Sequence, residues 1–229
     1  MQNKRIGKGA EEKKYCALFM CRSTHQNTET GFTEEEVTDQ HRRCLKEILQ
    51  LYRPSLLLIG TPGQEAAAQL VLREQETLKE HFPAWLLADV LRQRAEDEEV
   101  FAGITKVLGE GREYAPAPEL SPVLLPVKKG GLFGALWNLG EAFGCGMRLR
   151  MSDIPMRQSV IEICNLYQIN PWECDDKGVW LMICKNGRQA EELLRRAGLP
   201  AGEIGQITEK AERIFVDHDE VRYLNNPRL

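Results

Sequence analysis

Apolar residues recur along this chain at two spacings, and the switches between them outline its elements. Leu56-Leu57-Leu58-Ile59 is a continuous apolar run of strand length ending in the turn Gly60-Thr61-Pro62-Gly63. The pattern predicts a buried strand and then a helix over residues 64–81. A second helical pattern covers residues 84–108, and Glu113-Tyr114-Ala115-Pro116-Ala117-Pro118 predicts an extended connector, because proline disfavours helical geometry in the residue before it. Strand, glycine turn and helix then return in the same order: Val123-Leu124-Leu125, Lys128-Lys129-Gly130-Gly131, and Leu132, Leu136, Leu139 and Phe143 on one helical face. Met147, Leu149 and Met151 alternate with arginines as in a strand with one buried face, and Val160, Ile163, Cys164 and Tyr167 fit a helix. Residues 179–184 are another apolar strand, Ala190, Leu193, Leu194 and Ala197 give a last helix, and residues 204–207, 213–216 and 221–224 are short closing strands.

Residues 1–53 read differently. They hold a charged start, the apolar stretch Tyr15-Cys16-Ala17-Leu18-Phe19-Met20, a polar loop and a helix. Thr33 and Glu36 make a capping box, and Val37, His41, Cys44, Leu45, Ile48, Leu49 and Tyr52 share one face before Pro54 ends the pattern. The expected division is an N-terminal extension over residues 1–53 and a domain over residues 54–229. Strands and helices mixed in this order imply an α+β fold, a layered α/β domain with helices packed on a mixed sheet.

Composition narrows the class. With 229 residues, 42% hydrophobic and 28% charged, the chain reads as one globular domain carrying an extension. A formal charge of −4, with basic residues scattered among acidic ones, argues against nucleic acid as a partner. No apolar run approaches the ~20 residues that cross a bilayer, and the N-terminus lacks a signal-peptide apolar region. The expectation is a cytoplasmic protein with no membrane partner. The seven cysteines are odd in number and mostly sit in apolar segments, as buried reduced thiols do.

The segment Gly130-Gly131-Leu132-Phe133-Gly134-Ala135-Leu136-Trp137-Asn138-Leu139-Gly140-Glu141-Ala142-Phe143-Gly144 closely resembles the Gly-Gly helix of aminoimidazole-ribonucleotide (AIR) synthase, PurM, and of its hydrogenase-maturation relative HypE. Ile154-Pro155-Met156-Arg157-Gln158, Glu162-Ile163-Cys164, Ile169-Asn170-Pro171 and Gly205-Gln206-Ile207-Thr208 look like that superfamily's successive signatures, in its order. Upstream, Leu58-Ile59-Gly60-Thr61-Pro62-Gly63 and Phe82-Pro83 look like the start of the same C-terminal domain. The resemblance thus implies an AIR synthase C-terminal-domain-like fold. It also implies, in full-length members, a preceding domain that binds ATP and magnesium; too few residues precede the match here for that domain to be expected. Two departures stand out. Pro126-Val127-Lys128-Lys129 stands where relatives place Asp, a hydrophobic residue and Thr, and the chain ends Asn226-Pro227-Arg228-Leu229 where hydrogenase-maturation members end in cysteine. The expectation is a noncatalytic regulatory or interaction module that binds an anion or a phosphorylated small molecule and has no cofactor of its own. The alternative is one subunit of a split ATP-dependent enzyme, with ATP and magnesium brought by a separate ATP-binding-domain protein. A homodimer is the other partner considered.

Lys128, Lys129, Gly130 and Gly131 are the candidate anion site: amides exposed at a helix N-terminus with its positive dipole end form a phosphate cradle, and the lysines add charge. The rival reading is a tight turn with close helix-sheet packing and solvated lysines. No Gly-Lys-Ser or Gly-Lys-Thr follows either glycine turn, so a Walker-type loop is rejected. Cys16, Cys21 and His25, with His41 and Cys44 nearby in sequence, offer zinc ligands, against which stands their reading as core residues. Asp175-Asp176 and Asp217-His218-Asp219 read as solvated turns rather than acid-base pairs, and Trp137, Trp172 and Trp180 as core or interface aromatics. No residue is assigned a catalytic role.

Overall fold

The computed structural model describes Phe19–Met20 and residues 53–97, 99–108 and 123–226. The elements of the first half are β1 (Phe19–Met20), β2 (Ser55–Ile59), α1 (Gln64–Arg73), α2 (Gln75–His81), α3 (Ala84–Asp97) and α4 (Val100–Leu108). There follow β3 (Val123–Pro126), α5 (Gly131–Phe143), β4 (Gly146–Leu149), α6 (Gln158–Leu166), β5 (Trp180–Cys184), α7 (Gly187–Arg196), β6 (Ala201–Thr208), β7 (Arg213–Asp217) and β8 (Glu220–Tyr223). Two 3-10 turns, Met151–Asp153 and Pro171–Glu173, flank α6.

The strands form one mixed sheet of eight in the order β1-β3-β5-β2-β6-β4-β7-β8. All five residues of β2 are buried, because β2 lies between β5 and β6 and both of its faces are covered by helices. Its side chains divide with period two. Leu56 and Leu58 join Leu132, Leu136 and Leu139 of α5 on one face; Leu57 and Ile59 join Ile104 of α4 and Leu194 of α7 on the other. A third core, built from Ala68, Val71, Leu78, Val90, Val160 and Ile163, holds α1, α2, α3 and α6 together. Both β2 and β3 run antiparallel to β5 and therefore parallel to each other, so both deliver their C-terminal ends to the same end of the sheet. That placement brings the two glycine turns together.

The structure departs from the sequence pattern in three places. The helix expected over residues 64–81 is two helices, interrupted at Glu74 with φ −108° and ψ 35°, and nothing in Leu72-Arg73-Glu74-Gln75 accounts for the break. The helix expected over residues 84–108 is also two, α3 ending at Asp97, a buried residue ion-paired with Arg157. Met151 belongs to a 3-10 turn rather than to β4, since Ile154 N–H donates back to its carbonyl and the chain folds over there. Of the extension, Phe19–Met20 pair in parallel with Val123 and Leu124. The expected helix before Pro54, the connector at residues 113–118, and Cys16, Cys21, His25, His41 and Cys44 lie outside the described residues. Cys145, Cys164 and Cys184 are buried free thiols and Cys174 is half-buried; burial pushes the first three up to about 12 and Cys174 up to about 11. No helix among the described residues is long and apolar enough to cross a membrane.

Candidate functional site

At the shared end of the sheet, β2 and β3 each run into a left-handed glycine that caps a helix. Gly63 (φ 78°) opens α1 and Gly130 (φ 82°) opens α5, a backbone geometry that a side chain disfavours. The loop ahead of β5 passes between them. It begins with the Pro171–Glu173 turn, whose cap Asn170 accepts from Trp172 N–H at 3.1 Å, and continues into Cys174-Asp175-Asp176. Gly130 N–H donates to Asp175 Oδ1 at 2.9 Å and Gly63 N–H donates to Asp176 Oδ2 at 2.9 Å. Two consecutive carboxylates therefore cap two helices that the sequence separates widely, each at the positive end of its helix dipole.

This corrects the reading of Asp175-Asp176 as a solvated turn. Asp175 is exposed, but Asp176 keeps only 4% of its surface. Burial pushes its carboxyl up, the Gly63 and Glu65 amides pull it back only partly, and it lies at about 7. Its neighbours form an ionic cluster around a recess lined by Glu65, Arg94, Asp97, Lys177 and Gly178, with room for roughly one water molecule. Arg94 grips Glu65 with Nε at 2.7 Å and Nη2 at 3.1 Å, and Lys177 lies 3.6 Å away. Burial raises the Glu65 carboxyl, but hydrogen bonds from Arg94 and Gln69, with the Lys177 and Arg94 charges, hold it below its ordinary 4.5. Asp97 has only Arg157 at 3.7 Å to offset its burial, and it rises to about 6. Arg157 in turn donates to Gln64 Oε1 at 3.0 Å, and Gln64 Nε2 donates to the Val90 carbonyl at 2.8 Å, tying α1, α3 and α6 into one unit.

The four residues of the candidate anion site come together at the start of α5, with different roles. Gly130 presents its amide to an anion, the Asp175 carboxylate. Gly131 (φ 62°) answers the packing reading, because a Cβ there would lie 2.5 Å from the Trp172 carbonyl oxygen and 2.6 Å from that of Cys174; its amide closes the turn on the Lys128 carbonyl at 2.9 Å. Lys128 is half-buried and Lys129 exposed. Asp217, His218 and Asp219 sit in the exposed turn between β7 and β8. Trp137 lies under the Arg213 guanidinium at 4.3 Å, Trp172 stacks on Phe133 at 5.8 Å, and Trp180 packs on the core shared with α4 and α7. Sequence reasoning missed Glu65, Arg94 and Asp97 and named Arg157 only within a motif; the local sign was a polar pair, Gln64-Glu65, opening a helix whose next three residues are alanine. Among the described residues, no group of three or more His, Cys, Asp or Glu could hold a metal ion.

The architecture has solved counterparts. The crystal structure of E. coli HypE superposes with a TM-score of 0.61 at 21% identity, over 80% of this chain and 52% of that one. The chain has the HypE fold. A second E. coli HypE crystal structure, described as a hydrogenase maturation protein, gives a TM-score of 0.56 over the same shares. A crystal structure of a HypE–HypF complex gives 0.53 at 15% identity, over 76% of this chain and 53% of that one. At these identities the likeness is one of fold, and the fold expected from the Gly-Gly helix and its companion motifs is borne out. The chain spans about half the length of the HypE chains it matches. No family model and no curated protein matches the sequence.

Proposed function

We propose that residues 54–229 act, in the cytoplasm, as a noncatalytic HypE-like binding module. Its ligand is a phosphate-bearing small molecule that enters at the start of α5 by displacing Asp175 from Gly130. One observation carries this reading: the Gly130 amide already holds an anion, the exposed Asp175 carboxylate at 2.9 Å. A helix N-terminus that satisfies one carboxylate has the geometry and dipole for a phosphate oxygen, and Lys128 and Lys129 favour a doubly charged group over a singly charged one. Asp176 keeps its buried place on Gly63, so the exchange involves the exposed aspartate alone.

Calorimetric titration with pyrophosphate tests this. Asp175→Asn removes the competing charge and leaves an amide oxygen, so pyrophosphate should bind this variant more tightly than the parent, while Lys128→Ala/Lys129→Ala weakens binding in either background. Equal affinity for parent and Asp175→Asn, or no heat with either, would overturn the proposal.

A second reading is favoured by the match to about half of each HypE chain: the domain supplies its α5 end to a cleft shared with a separate ATP-binding chain. On this reading a phosphate would sit at Gly130 and the partner would bring the magnesium ligands; among the described residues no group of three or more His, Cys, Asp or Glu is placed to hold a metal ion. A thermal shift with ATP and magnesium that appears only when a co-purifying chain is present supports this reading; a shift in the isolated chain, sensitive to its own side chains, speaks for independent nucleotide binding.

A further inference from the structure

Residues 174–178, between the Pro171–Glu173 turn and β5, are held by side chains rather than by backbone. Among the described residues no backbone–backbone hydrogen bond reaches this segment. Asp175 holds the Gly130 amide and Asp176 the Gly63 amide, Lys177 lies 3.6 Å from Glu65, and the Cys174 thiol donates to the Asn170 carbonyl at 3.2 Å. The three buried carboxyls around the recess are not served alike. Glu65 of α1 has Arg94 and Lys177, and Asp97 of α3 has Arg157 at 3.7 Å. Asp176 has the Gly63 and Glu65 amides, and among the described residues no cation pairs with it. An ion buried without a counter-ion costs several kcal/mol, whereas a segment so lightly tied can carry that ion to water by local opening. The recess provides the way out, because the exposed Lys177 forms part of its wall beside Asp176.

We infer that residues 174–178 form a pH-controlled latch: protonated, Asp176 stays buried and the segment closes over the starts of α1 and α5; ionised, it leaves Gly63 and takes Asp175 off Gly130 with it. The open latch bares two helix N-termini at one end of the sheet. It goes beyond the exchange of Asp175 alone for a phosphate, and it stands whether or not a phosphate binds. Facing Asp176 are Glu65 of α1, Arg94 and Asp97 of α3, Cys164 of α6 and, in its own segment, Cys174, Asp175 and Lys177, with Arg157 on Asp97. Burial holds Cys164 at about 12 and Cys174 at about 11, and Glu65 lies below its ordinary 4.5, so Asp97 and Asp176 are the raised carboxyls of the cluster. Asp97 keeps Arg157 when the latch moves. Buried, Asp176 lies at about 7, and once released to water it returns to its ordinary 3.8. The closed latch therefore keeps a proton that the open one gives up, so the opening constant rises about fiftyfold from about pH 5 to about pH 7 and levels off above that.

Amide hydrogen exchange on the full chain, followed by NMR with each rate divided by the intrinsic rate at that pH, reads this constant at Gly63. The Gly63 opening constant should rise by that factor and then level off. Gly130 should be open at least as often as Gly63 at every pH, and the amides of β2 should stay better protected than either. Asp176→Asn should lose most of the rise, and Asp97→Asn should keep most of it. A Gly63 constant indifferent to pH in the parent overturns the inference, and that result needs no variant. So does a Gly63 that opens more often than Gly130, one that exchanges only with β2, or a rise that survives Asp176→Asn and is abolished by Asp97→Asn.

Discussion

The buried carboxyl of Asp176 makes stability depend on pH in an unusual direction. Its carboxyl rises from an ordinary 3.8 to about 7 on folding. Between those values the unfolded chain has released its proton while the folded chain keeps it. Stability is therefore highest below about pH 4 as far as this group is concerned, falls as pH rises, and levels off above about 7. At 1.36 kcal/mol per unit the full loss is about 4 kcal/mol, and Asp97, rising from 3.8 to about 6, adds about 3 kcal/mol in the lower part of the same window. Glu65 works in the opposite sense but elsewhere. Its carboxyl is lowered, so its contribution is present above its ordinary 4.5 and is lost only as pH falls below that. The perturbation of choice is Asp176→Asn, which keeps an oxygen for the Gly63 amide and removes the titration. Urea unfolding of parent and variant between about pH 5 and about pH 8 should show the parent losing several kcal/mol and the variant losing less than half as much, so the variant overtakes the parent at the alkaline end. Parallel profiles would refute the assignment of the slope to Asp176, and a parent that gains stability through this window would refute the physical reasoning behind it.

Other substitutions separate the contributions of packing, backbone and charge. Gly131→Ala should cost about 3 kcal/mol or more, because the new Cβ meets backbone oxygens of Trp172 and Cys174 that cannot move aside; Gly144→Ala, also at φ 62° but with nothing within 4 Å, should cost only about 1 kcal/mol, and paired thermal melts show the difference. Arg94→Met leaves the buried Glu65 carboxylate with Gln69 and the more distant Lys177 and should destabilise by about 1–3 kcal/mol, with Glu65→Gln in the same chain recovering part of it in chemical denaturation. Leu136→Ala, fully buried between α5 and the sheet, should lose about 2–5 kcal/mol by the same assay.

Some of this was legible in the sequence because its causes are local. The run Leu56-Leu57-Leu58-Ile59 and the turn to Gly63 specify β2 and the start of α1 within a dozen residues, and the Lys128-Lys129-Gly130-Gly131 turn does the same for β3 and α5. The motifs after residue 150 extended the fold assignment to the whole second half. Asp176 was misread because Cys174-Asp175-Asp176-Lys177-Gly178 has the composition of a solvated turn, and its burial depends on Gly63, 113 residues earlier. The same holds for Asp97 and Arg157, whose pairing exists only once α3 and α6 pack on α1. The break at Glu74 had no local signal, since no glycine or proline stands there. For the anion site, sequence supplied the glycines and lysines but not Asp175, the group now occupying the Gly130 amide.

The most direct measurement is the amide nitrogen–proton spectrum of the full chain during titration with pyrophosphate. Saturable shifts should appear at Gly130, Gly131 and Leu132, at lower ligand concentration in Asp175→Asn than in the parent, while Gly63 stays fixed on Asp176. Amides at the start of α5 that remain unmoved in both proteins, while another region responds, would contradict the account.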